Sequence, residues 1–145
     1  MSLPIGTVLF STNIDPKQNV TPGIFNHVGI IVDDDQNIVE AQLDEGVILT
    51  SWADYKDRPY NWNNWGVLYP RNKEIGIKAA EAAKTYVGRK YAKLSSIRGL
   101  KRRMNCVSVV SNAYSEATDT EVKAAVPDDF IKYVNLFTDK ISEIS

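Results

Sequence analysis

At 145 residues and 43% apolar content, the chain is long enough for one domain, residues 1–145, to bury a core without covalent staples. Its 17 basic and 18 acidic residues nearly cancel, so no global basic excess points to nucleic acid. A single cysteine cannot close an intramolecular disulfide, and the fold therefore needs no oxidising compartment.

The first half reads as strands. Val8-Leu9-Phe10, after Gly6, is a short buried strand. Residues 12–26, with two prolines, a glycine and three asparagines, form a loop. His27-Val28-Gly29-Ile30-Ile31-Val32 is apolar and β-branched, which predicts a central strand. Residues 33–37 (DDDQN) are a turn by composition. Ile38-Val39-Glu40-Ala41-Gln42 returns as the partner strand, and Val47-Ile48-Leu49 follows Gly46 as a third. The aromatic, polar tract from Trp52 to Trp65 reads as a long loop, and Gly66-Val67-Leu68-Tyr69 as a last strand closed by Pro70.

Helices dominate the second half. Asn72 caps a helix through Ile75, Ala79, Ala82, Ala83, Tyr86 and Val87, with Gly88 where helices end. Residues 89–104 are a basic loop. Asn105 then caps a helix reaching about Glu116, whose Cys106, Val109, Val110, Ala113 and Ala117 form one stripe. Pro127-Asp128-Asp129 opens a third helix with Phe130, Ile131, Val134 and Phe137 on one face. Strands first and helices second predict an α+β domain with an antiparallel sheet packed against helices. No apolar run nears the ~20 residues of a membrane-spanning helix. The first residues lack the basic-then-apolar pattern of a signal peptide, and the compartment stays open.

The chemistry centres on Cys106. A thiol at a helix start sits where the helix dipole favours the thiolate, as a nucleophile requires. The same position suits a small buried side chain, so the reading needs a base. The only histidine, His27, opens the central strand. Glu40, flanked by apolar Val39 and Ala41, is out of place in a strand interior unless it has a partner. A four-residue turn at 33–36 pairs Ile31 with Ile38 and Ile30 with Val39, which sets Glu40 opposite Gly29 and Gln42 opposite His27. Because side chains alternate, His27 and Glu40 then share a face as diagonal neighbours, a face expected to turn toward the Cys106 helix. Thiol, imidazole and carboxylate are the nucleophile, base and orienting group of a papain-like site.

GTVLF, FNHVGIIV, IVEA, GRKY, NCVSVVSNAY and PDDF, spread from Gly6 to Phe130, resemble the permuted papain-like amidases of the YaeF/YiiX type. These are relatives of the NlpC cell-wall peptidases in which histidine and acid precede the cysteine. The resemblance implies a circularly permuted papain-like (NlpC-type) fold with a catalytic Cys106, His27 and Glu40. It also implies a cleft-lining Tyr91 at the G-x-x-Y position. Val107 stands where the family often has serine, and Gly6-Thr7 where it often has Gly-Asp; neither change removes a catalytic group. Asn105-Cys106 is also similar to the lecithin:retinol acyltransferase group, whose cysteine forms a thioester; that group uses a second histidine, which this chain lacks.

Other features receive plainer readings. Residues 89–103 hold seven basic residues and no acid, either a solvated loop or a cationic lip for anionic substrates. Trp52, Trp62 and Trp65 can pack or can stack a sugar or acyl chain. No ligand spacing supports a metal, and no cofactor is expected. The reading is a cysteine hydrolase of an amide bond, peptide or N-acyl, acting through a thioester and connected with cell-wall substrates. Its substrate is a small peptide, an N-acyl amino acid or a lipid-like molecule, with Tyr91 and Gln42 as substrate-binding candidates. The alternatives are a lipid-directed thiol acyltransferase or phospholipase, and a silent binding domain of the same fold.

Overall fold

The computed structural model describes residues 2–11, 27–42, 44–57, 66–91, 104–124, 127–133, 135–137 and 142–143. Six strands form one sheet: β1 (Val8–Ser11), β2 (His27–Ile31), β3 (Ile38–Gln42), β4 (Gly46–Thr50), β5 (Gly66–Leu68) and β6 (Ser142–Glu143). Their spatial order is β4-β3-β2-β1-β5-β6, and every paired neighbour runs antiparallel. The first five match the strands predicted from sequence, while β6 carried no sequence signal. The predicted loop at 12–26 lies outside the described residues.

The β2–β3 turn has the expected register, Ile31 opposite Ile38 and Ile30 opposite Val39. Val32 N–H donates to the Asn37 carbonyl, closing the four-residue turn. The Asp33 carboxylate accepts from both the backbone and the side-chain amide of Asn37. Gln36 takes a left-handed φ of 64° and uses its side-chain amide to bind both backbone groups of Leu3. The turn thereby anchors the N-terminal segment to the sheet.

Among the described residues three α-helices follow: α1 (Trp52–Lys56), α2 (Lys73–Lys84) and α3 (Cys106–Ala117). The first corrects the expectation of loop throughout 52–65. Ser51 caps α1 by accepting from Asp54 N–H, and fully buried Tyr55 with Trp52 stacked on it fixes the helix to the sheet. Residues 58–65, with Trp62 and Trp65, lie outside the described residues. Asn72 caps α2 as expected, but the helix stops at Lys84, short of Tyr86 and Val87. Turn bonds to Ala82, Ala83 and Lys84 carry the chain on to Gly88, whose φ is 100°. The third predicted helix is a 3₁₀ helix, Pro127–Lys132. Buried Phe130 makes edge contacts with Phe10 and Phe137, whereas Ile131 is exposed rather than on an apolar face. Val134 lies outside the described residues.

Strand alternation sorts the core into two clusters. Val8, Phe10, Val28, Ile30, Val39, Ala41 and Leu68 pack with α2 and α3. Leu9, Ile31, Ile38 and Val67 pack with Leu3 and with Tyr55 of α1. α2 and α3 pack against each other within one cluster, which holds Ala79, Ala80 and Ala83 of α2 and Val109, Val110 and Ala113 of α3. Tyr114 of α3 crosses to the N-terminal segment and donates its hydroxyl to the Gly6 carbonyl.

One further connection positions the site. Val47 N–H donates to the Arg89 carbonyl, Gly88 N–H to the Val47 carbonyl, and Met104 N–H to the Lys90 carbonyl. The segment after α2 is thus pinned to the free edge of β4 on one side and to the residues entering α3 on the other. Gly46 is required there: its φ is 79°, and a Cβ would meet the Arg89 carbonyl oxygen at 2.3 Å.

Candidate active site

Cys106 is the first residue of α3, is 5% exposed and is a free thiol. Its placement is set by a reciprocal cap. The Asn105 side chain accepts from Ser108 N–H at 2.8 Å, while Ser108 Oγ accepts from Asn105 N–H at 2.9 Å. These bonds fix the backbone on both sides of the cysteine. No acidic residue occupies the first turn, so the positive end of the helix dipole is not neutralised by its own side chains. The stripe predicted for α3 is wider than expected, since Val107, Ser108, Ser111 and Tyr114 are buried as well.

His27, the first residue of β2, is 6% exposed, and its Nε2 lies 2.6 Å from Oε1 of Glu40. The diagonal placement inferred from the turn length therefore brings these two side chains into contact. Glu40 is wholly buried and gathers two more donors. Gln42 Nε2 donates to Oε1 at 3.0 Å, and Thr50 Oγ1 donates to Oε2 at 2.6 Å. An ionised carboxylate is acceptor-only with about four lone-pair sites, and three donors suit that form. With Nε2–H donating to Glu40, the neutral imidazole is held in the tautomer whose acceptor nitrogen is Nδ1.

The face differs in one respect from the sequence reading. Val39 and Ala41 pack toward α3, so strict alternation along β3 turns Glu40 the other way, with Ile38 and the Tyr55 side of the sheet. Tyr55 has its hydroxyl pushed above the usual phenol range, first by burial and further by the charge of Cys106, against a lowering bond from Ser11. Tyr91 is raised in the same way, by burial and then by Cys106. Ser11, whose Oγ is 3.0 Å from the Tyr55 hydroxyl, is the register partner of His27.

Tyr91 is half-buried and forms a bridge with Met104, two residues before the cysteine. Gln42 is engaged with Glu40 rather than standing apart as a substrate contact. Of the basic tract, Arg89 and Lys90 are exposed, and residues 92–103 lie outside the described residues. Sequence reasoning missed Thr50 and Ser108. Ser108 follows the N-cap by three residues, a capping-box spacing with serine in place of the usual Glu or Gln. Thr50 had no signal until the β3–β4 register placed it opposite Ile38, beside Glu40 on the same face.

A buried histidine–acid pair on adjacent antiparallel strands is followed later in the chain by a cysteine at a helix start, the chain order that the resemblance to permuted papain-like enzymes implies. A family model described as "permuted papain-like amidase enzyme, YaeF/YiiX, C92 family" matches residues 2–130, and the chain belongs to that family. It is thus a cysteine hydrolase family member with a permuted papain-like α+β fold. Among solved structures it is similar to YiiX from Escherichia coli O157:H7, which is described as a metalloprotein. The identity is 21%, the TM-score 0.68, and the match covers 86% of this chain and 71% of that one. No curated protein matches. Among the described residues no ligand set suits a resident metal. No three of their His, Cys, Asp or Glu side chains cluster as ligands, and the Nε2 of His27 is already bonded to Glu40.

Proposed function

We propose that the protein hydrolyses an amide bond, peptide or N-acyl, with Cys106 as nucleophile, His27 as acid–base and Glu40 as orienting group. The observation that carries this reading is the 2.6 Å bond from a nearly buried imidazole to a fully buried carboxylate. His27 Nδ1 takes the thiol proton, and Glu40 stabilises the imidazolium that results. Cys106 Sγ attacks the carbonyl carbon, and the carbonyl π pair moves onto oxygen. The Cys106 backbone N–H, at the start of α3, is assigned as a donor to that oxyanion. Collapse re-forms the carbonyl and breaks the C–N bond, with the imidazolium proton leaving on the amine. Water, deprotonated by His27, then attacks the thioester, and the C–S bond breaks to release the acid and restore the thiol. Small peptides, N-acyl amino acids and lipid-like amides are the substrate classes to screen, with Tyr91 as the proposed substrate contact.

The test is trapping of the acyl-enzyme. Incubation with a panel of peptidyl and N-acyl p-nitroanilides, quenched in acid, should leave the acyl mass on a peptide containing Cys106. Hydroxylamine should remove it. Cys106→Ala and His27→Ala should show neither adduct nor turnover. Turnover that persists in Cys106→Ala overturns the proposal, and an adduct that passes to an added alcohol or amine in preference to water makes the protein a transferase.

A further inference from the structure

Thr50 ends β4, opposite Ile38 in the register and so diagonal to Glu40, whose direct partner is Ile48. It is 7% exposed, and its hydroxyl reaches the one carboxylate oxygen that neither His27 nor Gln42 engages. The two oxygens of Glu40 therefore have separate tasks. Oε1 faces the imidazole, and Oε2 is held from behind by a neighbouring strand.

That separation has a mechanical consequence. The terminal torsion of a glutamate is broad and roughly two-fold, so donors on one oxygen alone leave the carboxylate plane free to rotate. A donor on the second oxygen fixes the plane. Threonine suits this task because its branched Cβ restricts χ1, and little freedom is lost when the hydroxyl is aimed. A charge-assisted O–H···O⁻ bond is among the stronger hydrogen bonds, and the water-poor surroundings strengthen it further.

We infer that Thr50 is a positioning residue of this site: its hydroxyl holds the Glu40 carboxylate ionised and oriented, so that Oε1 stays aimed at His27. The inference rests on the catalytic reading above. It predicts an effect that travels from β4 through Glu40 and His27 to the thiol. With the hydroxyl replaced by a methyl group, Oε2 loses the Thr50 donor, the carboxylate stabilises the imidazolium less, and the thiolate–imidazolium pair is less populated at neutral pH.

The chain has one cysteine and one histidine, so each reports on this site alone. The experiment measures iodoacetamide alkylation of Cys106 at pH 7 in the full chain and in Thr50→Val, Thr50→Ser and His27→Ala, with circular dichroism to confirm folding. The ring Nε2–H resonance of His27 is followed in ¹⁵N-labelled wild type and in the Thr50 variants. Thr50→Val should slow alkylation roughly tenfold, the scale of one charged hydrogen bond, and should speed solvent exchange of the Nε2–H. Thr50→Ser, which keeps the hydroxyl, should return to within about twofold of wild type. A purely structural role would lower the melting temperature of Thr50→Val and leave alkylation and exchange unchanged, and that result overturns the inference while the Cys–His reading stands. Wild-type alkylation in His27→Ala overturns the catalytic reading itself. If Thr50→Val does not fold, the wild-type Nε2–H decides: exchange as fast as in free imidazole shows that Glu40 is not held, and slow exchange supports the inference.

Discussion

His27 and Glu40 stand 13 residues apart in the chain, yet their side chains meet at 2.6 Å across the β2–β3 pair. The contact depends on the length of one turn. A one-residue slip would send the carboxylate to the other face of β3, away from the imidazole, because side chains alternate with a period of two.

The donor set around Glu40 predicts how its substitutions differ. In Glu40→Gln the amide oxygen can accept from His27 and Gln42, while the new NH₂ faces Thr50, whose hydroxyl can turn to accept. The network stays satisfied and only the charge is lost. Folding should survive, and kcat/KM should fall about 10- to 100-fold, the cost of a charge-assisted hydrogen bond expressed in the transition state. Glu40→Ala removes the acceptor that His27, Gln42 and Thr50 share, and a buried donor deprived of its acceptor costs about 1–3 kcal/mol, so it should lose stability as well as activity. Kinetics paired with thermal melts of both variants check this. Equal loss of stability in the two would mean that the network does not reorganise as described.

That network marks how far the sequence could be read. The His27–Glu40 contact was legible because a compact polar turn, Asp33 to Gln36, separates two apolar strands and leaves one sensible register. Thr50 was not, because its position depends on the β3–β4 connection, where Asp44 and Glu45 say little about register. The α3 helix was legible from its cap and its 3.6-residue stripe. By contrast α1, at five residues, is too short for any period to show, and its aromatic residues suggested loop. Its signal was local: Ser51 followed three residues later by Asp54. The end of α2 was misplaced because Tyr86 and Val87 continue the apolar spacing, although the chain has already left the helix. Tyr86 is buried from a turn instead, with its hydroxyl on Glu116 and its ring beneath the Arg89 guanidinium.

The turn that sets the register should be sensitive to acid. Burial alone would raise the Asp33 carboxyl. The side-chain and backbone bonds from Asn37, the Asp35 amide and the more distant Lys84 together outweigh it and hold the group below its usual 3.8. A carboxyl that is more acidic in the folded state contributes stability above its unfolded value and loses it as pH falls through the folded one. Asp33→Asn should therefore be less stable than wild type at neutral pH. The gap should narrow as pH falls below 3.8 and through the lowered folded-state value, and close once the carboxyl is protonated. Urea unfolding from pH 2.5 to 7 measures it. A gap that stays constant across that range would assign the effect to shape rather than charge.

Gly46 offers the clearest link between the fold and the thiol. Its φ of 79° is left-handed, and a Cβ there would lie 2.3 Å from the Arg89 carbonyl oxygen. That same oxygen accepts from Val47 N–H, and the next carbonyl along, Lys90, accepts from Met104 N–H two residues before Cys106. Gly46→Ala must both adopt the left-handed conformation, at about 1–2 kcal/mol, and push back the segment that joins the sheet edge to α3. The melting temperature should fall by several degrees. If the segment positions the nucleophile, Cys106 alkylation should change as well, since Asn105 and its cap follow directly from Met104. Gly88→Ala is the matched control. Its φ of 100° is also positive, a conformation strained for alanine, but a Cβ there meets nothing within 4 Å. Gly88→Ala should therefore lose stability while the alkylation rate stays close to that of wild type. Equal slowing in both variants would mean that strain in the segment, rather than its contact with β4, governs the placement of the thiol.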